Sequence, residues 1–278
     1  MPTAELNGAT IHYEVTGAGR PTFLMFNGAG LRLAAWGELG DRLSTIGTVI
    51  RFDQRGVGET VSEGPFSLAT VAADALGLLD ALEIGKVIAI GHAWGGRVAQ
   101  VFARDYPERL SALVLCGTGG VLHPTFDPVA RERLRTSSAS GDRPAFEQAV
   151  VDLYCAKNFA TRDPGAAHAV FDQMWEWRFD GKGATEASAA TPSSSYAGAA
   201  TCPVLLVYGS DDKFGTPDNA RDLNQRLRGS RLIFIEDAGH LVIREQSGRV
   251  FEEIAAFVAE VGETGAASAP AKGGSNGV

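Results

Sequence analysis

Cysteine is scarce: Cys116, Cys155 and Cys202 are the only three in 278 residues. They are too few and too scattered for a disulfide framework or for the short-spaced ligand pairs of a zinc site, and are expected to be buried, reduced thiols. No metal and no cofactor is expected. Uninterrupted apolar runs of roughly 18 residues are also missing, so no helix is expected to cross a membrane. The segment Met1-Pro2-Thr3-Ala4-Glu5 lacks the charged-then-apolar layout of a secretory leader, and the expected location is the cytoplasm. Positive charge is in short supply, with 25 Lys+Arg against 33 Asp+Glu for a net charge of −8. Neutralising a phosphate backbone requires concentrated Lys and Arg, and no such stripe exists, which argues against nucleic acid as a partner. The expected partner is a small-molecule substrate, and a homodimer stays open.

What is present is a large apolar fraction, 45%, enough for a sizeable core. The length suits either two domains or one α/β domain with an insertion. Short apolar runs at Thr22 to Asn27, Thr48 to Asp53, Val87 to Ile90, Ala112 to Cys116, Val204 to Tyr208 and Leu232 to Ile235 read as buried strands. Leu68 to Leu82 and Trp94 to Tyr106 carry apolar residues at helical spacing, the second stopped by Pro107. This alternation predicts βαβ units and a parallel sheet. Ala4 to Leu6 and Thr10 to Val15 flank Asn7-Gly8 and read as a hairpin that adds an antiparallel edge. From 117 to 202 the rhythm breaks into helical stretches, too long for a plain connection. The expected organisation is therefore core over 1–116, helical cap over 117–202, core again over 203–261, and a Gly/Ala/Ser/Pro-rich disordered tail over 262–278. In the cap, Tyr154, Phe159, Phe171, Trp175, Trp177 and Phe179 are available to line an apolar cavity. Trp175 and Trp177 are two positions apart, so on a helix only one of them can face it.

The most informative segment is Ile90-Gly91-His92-Ala93-Trp94-Gly95-Gly96, which closes a buried strand and opens a helix. It has the shape of a nucleophile elbow, G-x-S-x-G, in which flanking glycines let strand and helix pass close to one another. Gly91 and Gly95 hold the glycine positions, and the nucleophile position holds Ala93. Phe26-Asn27-Gly28-Ala29-Gly30, Asp53-Gln54-Arg55-Gly56-Val57-Gly58, Gly209-Ser210-Asp211-Asp212 and Gly239-His240 with Glu245 supply four further motifs. Together they resemble the α/β-hydrolase superfamily along nearly the whole chain, in its order of nucleophile, acid and histidine. That resemblance implies a mostly parallel eight-stranded sheet with helices on both faces and a helical cap. The Asn-Gly loop, Trp36 and the Leu113-Val114-Leu115-Cys116 strand are most similar to 3-oxoadipate enol-lactonases and related small-ester hydrolases. Trp94 also resembles epoxide hydrolases and haloalkane dehalogenases, where an Asp would stand at position 93, although the loop at Asn27 lacks their proline.

The resemblance implies roles. His240 would be the acid-base residue, oriented by Asp212 or, as the alternative, Asp211. Backbone N–H groups of Ala29 and Trp94 would form an oxyanion hole. Asn27, Gly28, Tyr154, Trp175 and Trp177 are the expected substrate-binding residues. Alanine has no group that attacks a carbonyl, so no covalent intermediate forms at position 93. Ala93 is either a natural loss or an engineered replacement of serine. Four functions stay open: an ester, lactone or polyketide-like carbonyl hydrolase; a non-hydrolytic His/Asp enzyme such as a C–C lyase, decarboxylase, cyclase or cofactor-free oxygenase; an epoxide-hydrolase or dehalogenase relative; and a non-catalytic binding protein. Retention of both Asp212 and His240 favours an enzyme, because binding alone needs no oriented base. His92 is expected to pack beside the elbow, Asp53 and Arg55 to pair across their turn, and His123 and His168 to lie in the cap without partners. Cys116 is rejected as a substitute nucleophile, because nothing lowers its pKa.

Overall fold

The computed structural model describes residues 2–120 and 127–267. Asn7 and Gly8 both adopt positive φ (50° and 74°) and turn β1 (Thr3–Leu6) into β2 (Ala9–Gly17). That conformation matches strand twist and is tolerated best by these two residue types. The remaining strands are β3 (Thr22–Phe26), β4 (Thr48–Phe52), β5 (Val61–Ser62), β6 (Val87–His92), β7 (Leu110–Cys116), β8 (Val204–Gly209) and β9 (Arg231–Ile235). They form one sheet in the order β1-β2-β4-β3-β6-β7-β8-β9, with β5 paired to β2. β2 runs antiparallel to β1 and β4, and every pair from β4 to β9 along the sheet is parallel. The sheet thus has nine strands rather than the expected eight. The extra one pairs Val61 and Ser62 with Thr10 and Ala9, and two residues are too few to show an alternating pattern.

Period-two alternation sends successive side chains of β3 to opposite faces. Leu24 and Phe26 join one buried cluster, with residues of α2 (Leu68–Ala81) and α3 (Trp94–Asp105). Phe23 and Met25 join a second, with residues of α1 (Gly37–Ser44) and α11 (Ser247–Ala267). Burying each such side chain contributes about 1.5–3 kcal/mol, so the doubly covered strands dominate stability. α2 starts where Ser67 and Thr70 close a reciprocal capping box.

Between β7 and β8 lie α4 (Pro128–Ser140), α5 (Arg143–Tyr154), α6 (Phe159–Arg162), α7 (Pro164–Glu176) and α8 (Ala184–Ala190), with no strand among the described residues. Asp127, Asp142 and Asp163 cap α4, α5 and α7, each with a proline at the first or second helical position. The side-chain oxygen satisfies a first-turn N–H, and proline costs nothing where no N–H is needed. Phe146, Val150, Phe159 and Phe171 form a third cluster that packs on Leu241 of the core. Beyond β8 stand α9 (Pro217–Arg226) and α10 (Val242–Glu245). α11 continues to Ala267, so the expected disordered tail does not begin at Gly262. Each residue added to a nucleated helix gains a hydrogen bond, which offsets the glycine penalty of about 1 kcal/mol. Residues 268–278 of that expected tail, and His123, lie outside the described residues. Among the described residues no helix is long and apolar enough to cross a membrane.

Candidate active site

Ala93 joins β6 to α3 with φ 51° and ψ −115°, a backbone state that side-chain-bearing residues rarely occupy. The crossing is tight enough to require glycine on both sides. A Cβ on Gly95 would sit 2.1 Å from the Phe26 carbonyl oxygen, and one on Gly91 would sit 2.6 Å from Gly96 Cα. The turn is pinned by the Ala93 N–H to Cys116 O (2.9 Å) and by Thr118 Oγ1 donating to Ala93 O (2.7 Å). Trp94 is the first helical residue of α3, so helix geometry leaves its N–H without an intrahelical acceptor.

His240 stands beyond β9, and its Nδ1 lies 3.1 Å from both carboxylate oxygens of Asp212, beyond β8. A carboxylate only accepts, so Nδ1 carries the proton and Nε2 is the free, basic nitrogen. Asp212 Oδ1 also accepts from the Phe214 and Gly215 N–H groups, at 2.7 and 2.8 Å. Asp211 is exposed, which settles the choice between the two acids on geometry. The Phe214 ring lies 4.9 Å from the His240 ring and stacks on Tyr154 at 4.8 Å.

These groups border a cavity of about 410 Å³, lined among others by Gly28, Ala29, Ala93, Trp94, Tyr154 and His240. Asn27 does not line it. Its buried side chain donates to Phe52 O (2.9 Å) and accepts from Trp36 Nε1 (2.6 Å), spending both ends inside the core. Neither tryptophan of the cap lines it either. Trp175 packs edge-on against Phe146 and beneath the Arg178 guanidinium, and the buried Trp177 lies under Arg32. The cavity face of α7 is supplied instead by Met174. Phe159 and Phe171 are buried in the cap's own core, and Phe179 is exposed. Leu31, Arg97, Phe214 and Leu241 also line the cavity and were not anticipated. Arg97 alone carried a legible signal, standing one helical turn after Trp94 at the start of the helix that follows the elbow.

His92 is more than packing. It borders the cavity, and its Nε2 donates to the His240 carbonyl at 2.9 Å. Burial lowers its pKa to about 3, so the ring is neutral. Asp53 and Arg55 do not pair with each other. Asp53 binds His12 Nδ1 (2.8 Å) and the Leu33 N–H (2.7 Å), whereas Arg55 grips Asp74 at 2.6 and 2.9 Å. His168 is not partnerless, since it meets Asp172 at 3.2 Å on an exposed face. Burial raises the Cys116 thiol to about 12, which leaves it inert. Side-chain hydrogen bonds help tie the cap to the site. Trp94 Nε1 donates to Ser188 Oγ (2.9 Å) and Ala184 O (3.1 Å), and Arg32 Nε to Asp180 (2.8 Å).

An elbow after a buried parallel strand, an acid after β8, a histidine after β9 and a cap over all three agree with the family comparison. A model of the alpha/beta hydrolase fold matches residues 21–246. The chain belongs to the α/β-hydrolase family. Across the family, the poly(3-hydroxyalkanoate) depolymerase of Ectopseudomonas oleovorans is 30% identical over 273 residues, covering 92% of this chain and 91% of that protein. The RutD protein of Caulobacter vibrioides, provisionally assigned as a carbamate hydrolase, is 37% identical over 110 residues. That match spans 38% of this chain and only 41% of RutD. The enol-lactonase of Burkholderia xenovorans superimposes with a TM-score of 0.80 at 25% identity, covering 93% of this chain and all of that one. The lineage is that of ester and lactone hydrolases.

Proposed function

We propose that this α/β-hydrolase acts on a small, partly apolar ester or lactone by a direct, His240-assisted attack of water, with no acyl-enzyme. One observation carries the reading: Ala93 stands at the strained elbow while the His240–Asp212 pair is intact and faces the same cavity. His240 Nε2 takes a proton from water as the water oxygen bonds to the carbonyl carbon. The carbonyl electron pair moves onto oxygen, held by the N–H groups of Trp94 and Ala29. The tetrahedral species then collapses, the alkoxide leaves, and His240 returns the proton to it. Asp212 keeps the ring in the required tautomer and stabilises the transient imidazolium. General-base assistance of this kind supplies about 10²–10⁴ in rate. A second reading uses the same base on a carbon acid, giving C–C cleavage, decarboxylation, cyclisation or cofactor-free oxygenation. It is favoured by the same absent hydroxyl, since such chemistry needs no nucleophile.

The test compares the chain with His240→Ala and Ala93→Ser variants on a short-chain activated ester and a small lactone. Turnover is expected to vanish in His240→Ala, with no acyl adduct on the parent chain by intact mass. Ala93→Ser is expected to acquire such an adduct. Unchanged turnover in His240→Ala overturns the reading, whereas turnover by the serine variant alone transfers the parent chain to the second reading.

A further inference from the structure

We propose that Arg97 is a carboxylate-recognition residue, so that the cavity selects carbonyl compounds that also bear a carboxylate. The inference rests on the same cavity being the substrate site. Arg97 lies in the first turn of α3, three residues after Trp94 on the same helical face, and α3 begins directly after Ala93. It lines the cavity, and its guanidinium lies beside Gly119, also in the lining. A Cβ on Gly119 would approach Arg97 Nη2 to 3.1 Å, so glycine leaves this space open.

Among the described residues Arg97 has neither a carboxylate nor a hydrogen-bond acceptor. Most other arginines are committed: Arg32 to Asp180, Arg55 to Asp74, Arg109 to Asp80. The nearby carboxylate of Asp222 is taken by Arg226 at 2.8 Å. The first turn of α3 contains no acidic residue to offset the charge, and a cation near the positive end of a helix is disfavoured. Arg97 is therefore a cation with no acidic partner among the described residues, on the wall of a cavity whose lining is mainly apolar and includes Leu31, Met174, Phe214 and Leu241. In surroundings of that polarity a charge pair is much stronger than in water, and the planar guanidinium fork fits a carboxylate bidentately. The protein's net charge of −8 repels anions at long range, so selection has to be local.

The test is calorimetric binding of levulinate and of its neutral amide, with the parent chain, Arg97→Gln and Arg97→Lys. Neither probe needs turnover, and His240→Ala is titrated in parallel. The parent chain and His240→Ala are expected to bind levulinate at least about tenfold more tightly than the amide. Arg97→Gln is expected to lose the preference, and Arg97→Lys to keep part of it. Because Arg97 has no hydrogen-bond or ion-pair partner among the described residues, the glutamine variant is expected to melt no lower than the parent. Equal affinity for the two probes, no binding of either, or a preference surviving in folded Arg97→Gln overturns the proposal. A preference that depends on Arg97 in a chain that hydrolyses nothing leaves carboxylate recognition standing and refutes the hydrolytic reading alone.

Discussion

Glu245 links the histidine loop to the cap, and its replacement by glutamine should change how stability depends on pH. Its carboxylate is buried and accepts from the Gly239 N–H at 3.0 Å and the Ala156 N–H at 2.8 Å. Gly239 precedes His240, and Ala156 opens the segment after α5. Burial raises the carboxyl from 4.5 to about 7, against the opposing pull of those two N–H donors. A carboxyl whose folded pKa is raised binds its proton more tightly in the folded state. Its stabilisation is complete below about 4.5 and is lost as pH rises through about 7. At about 1.4 kcal/mol per unit, the move from 4.5 to about 7 is worth about 3 kcal/mol. Urea unfolding of the parent and Glu245→Gln at intervals from pH 5 to pH 8 isolates this contribution, because the amide does not titrate. The amide nitrogen cannot accept from Ala156, so the two curves are also offset by a constant. The parent is expected to lose about 2.5 kcal/mol relative to the variant between pH 5 and pH 8, the remainder having been lost below pH 5. A flat difference, or a parent that gains on the variant as pH rises, would show that Glu245 is ionised in the folded state at low pH and refute the argument from burial.

Two further substitutions probe the frame of the site. Gly95→Ala drives a methyl to 2.1 Å from Phe26 O, a backbone atom that cannot yield, and is expected to cost about 4 kcal/mol or more or to prevent soluble expression. A thermal midpoint within a few degrees of the parent would show that the crossing is less tight than described. Trp36→Phe strands the buried Asn27 Oδ1 and is expected to cost about 1–3 kcal/mol in denaturant unfolding. Equal stability would mean that Asn27 finds another donor.

The local motifs of this chain were legible because each is enforced by backbone geometry. Gly91 and Gly95 bracket a crossing with no room for a Cβ, and Asn7-Gly8 sits in a positive-φ turn. Side-chain destinations were less legible. Asn27 reads as a site residue from its place in the loop, yet its amide is consumed by Phe52 and Trp36. Trp175 and Trp177 read as cavity lining from their size, yet the turn of α7 that faces the cavity carries Met174. Asp53 and Arg55 are neighbours in sequence but bind His12 and Asp74, partners tens of residues away.

What the sequence determined alone is the order of elements, the elbow with its missing hydroxyl, and the residue types able to move a proton. Periodicity and glycine requirements act over a few residues, so they can be read without coordinates. Only the tertiary structure decided that Asp212 rather than Asp211 meets His240, that burial holds His92 neutral, and that Arg97 faces the cavity with no acidic partner among the described residues. Those outcomes depend on which groups share a low-dielectric space after distant segments pack together, and burial and charge pairing are properties of that space rather than of any stretch of chain.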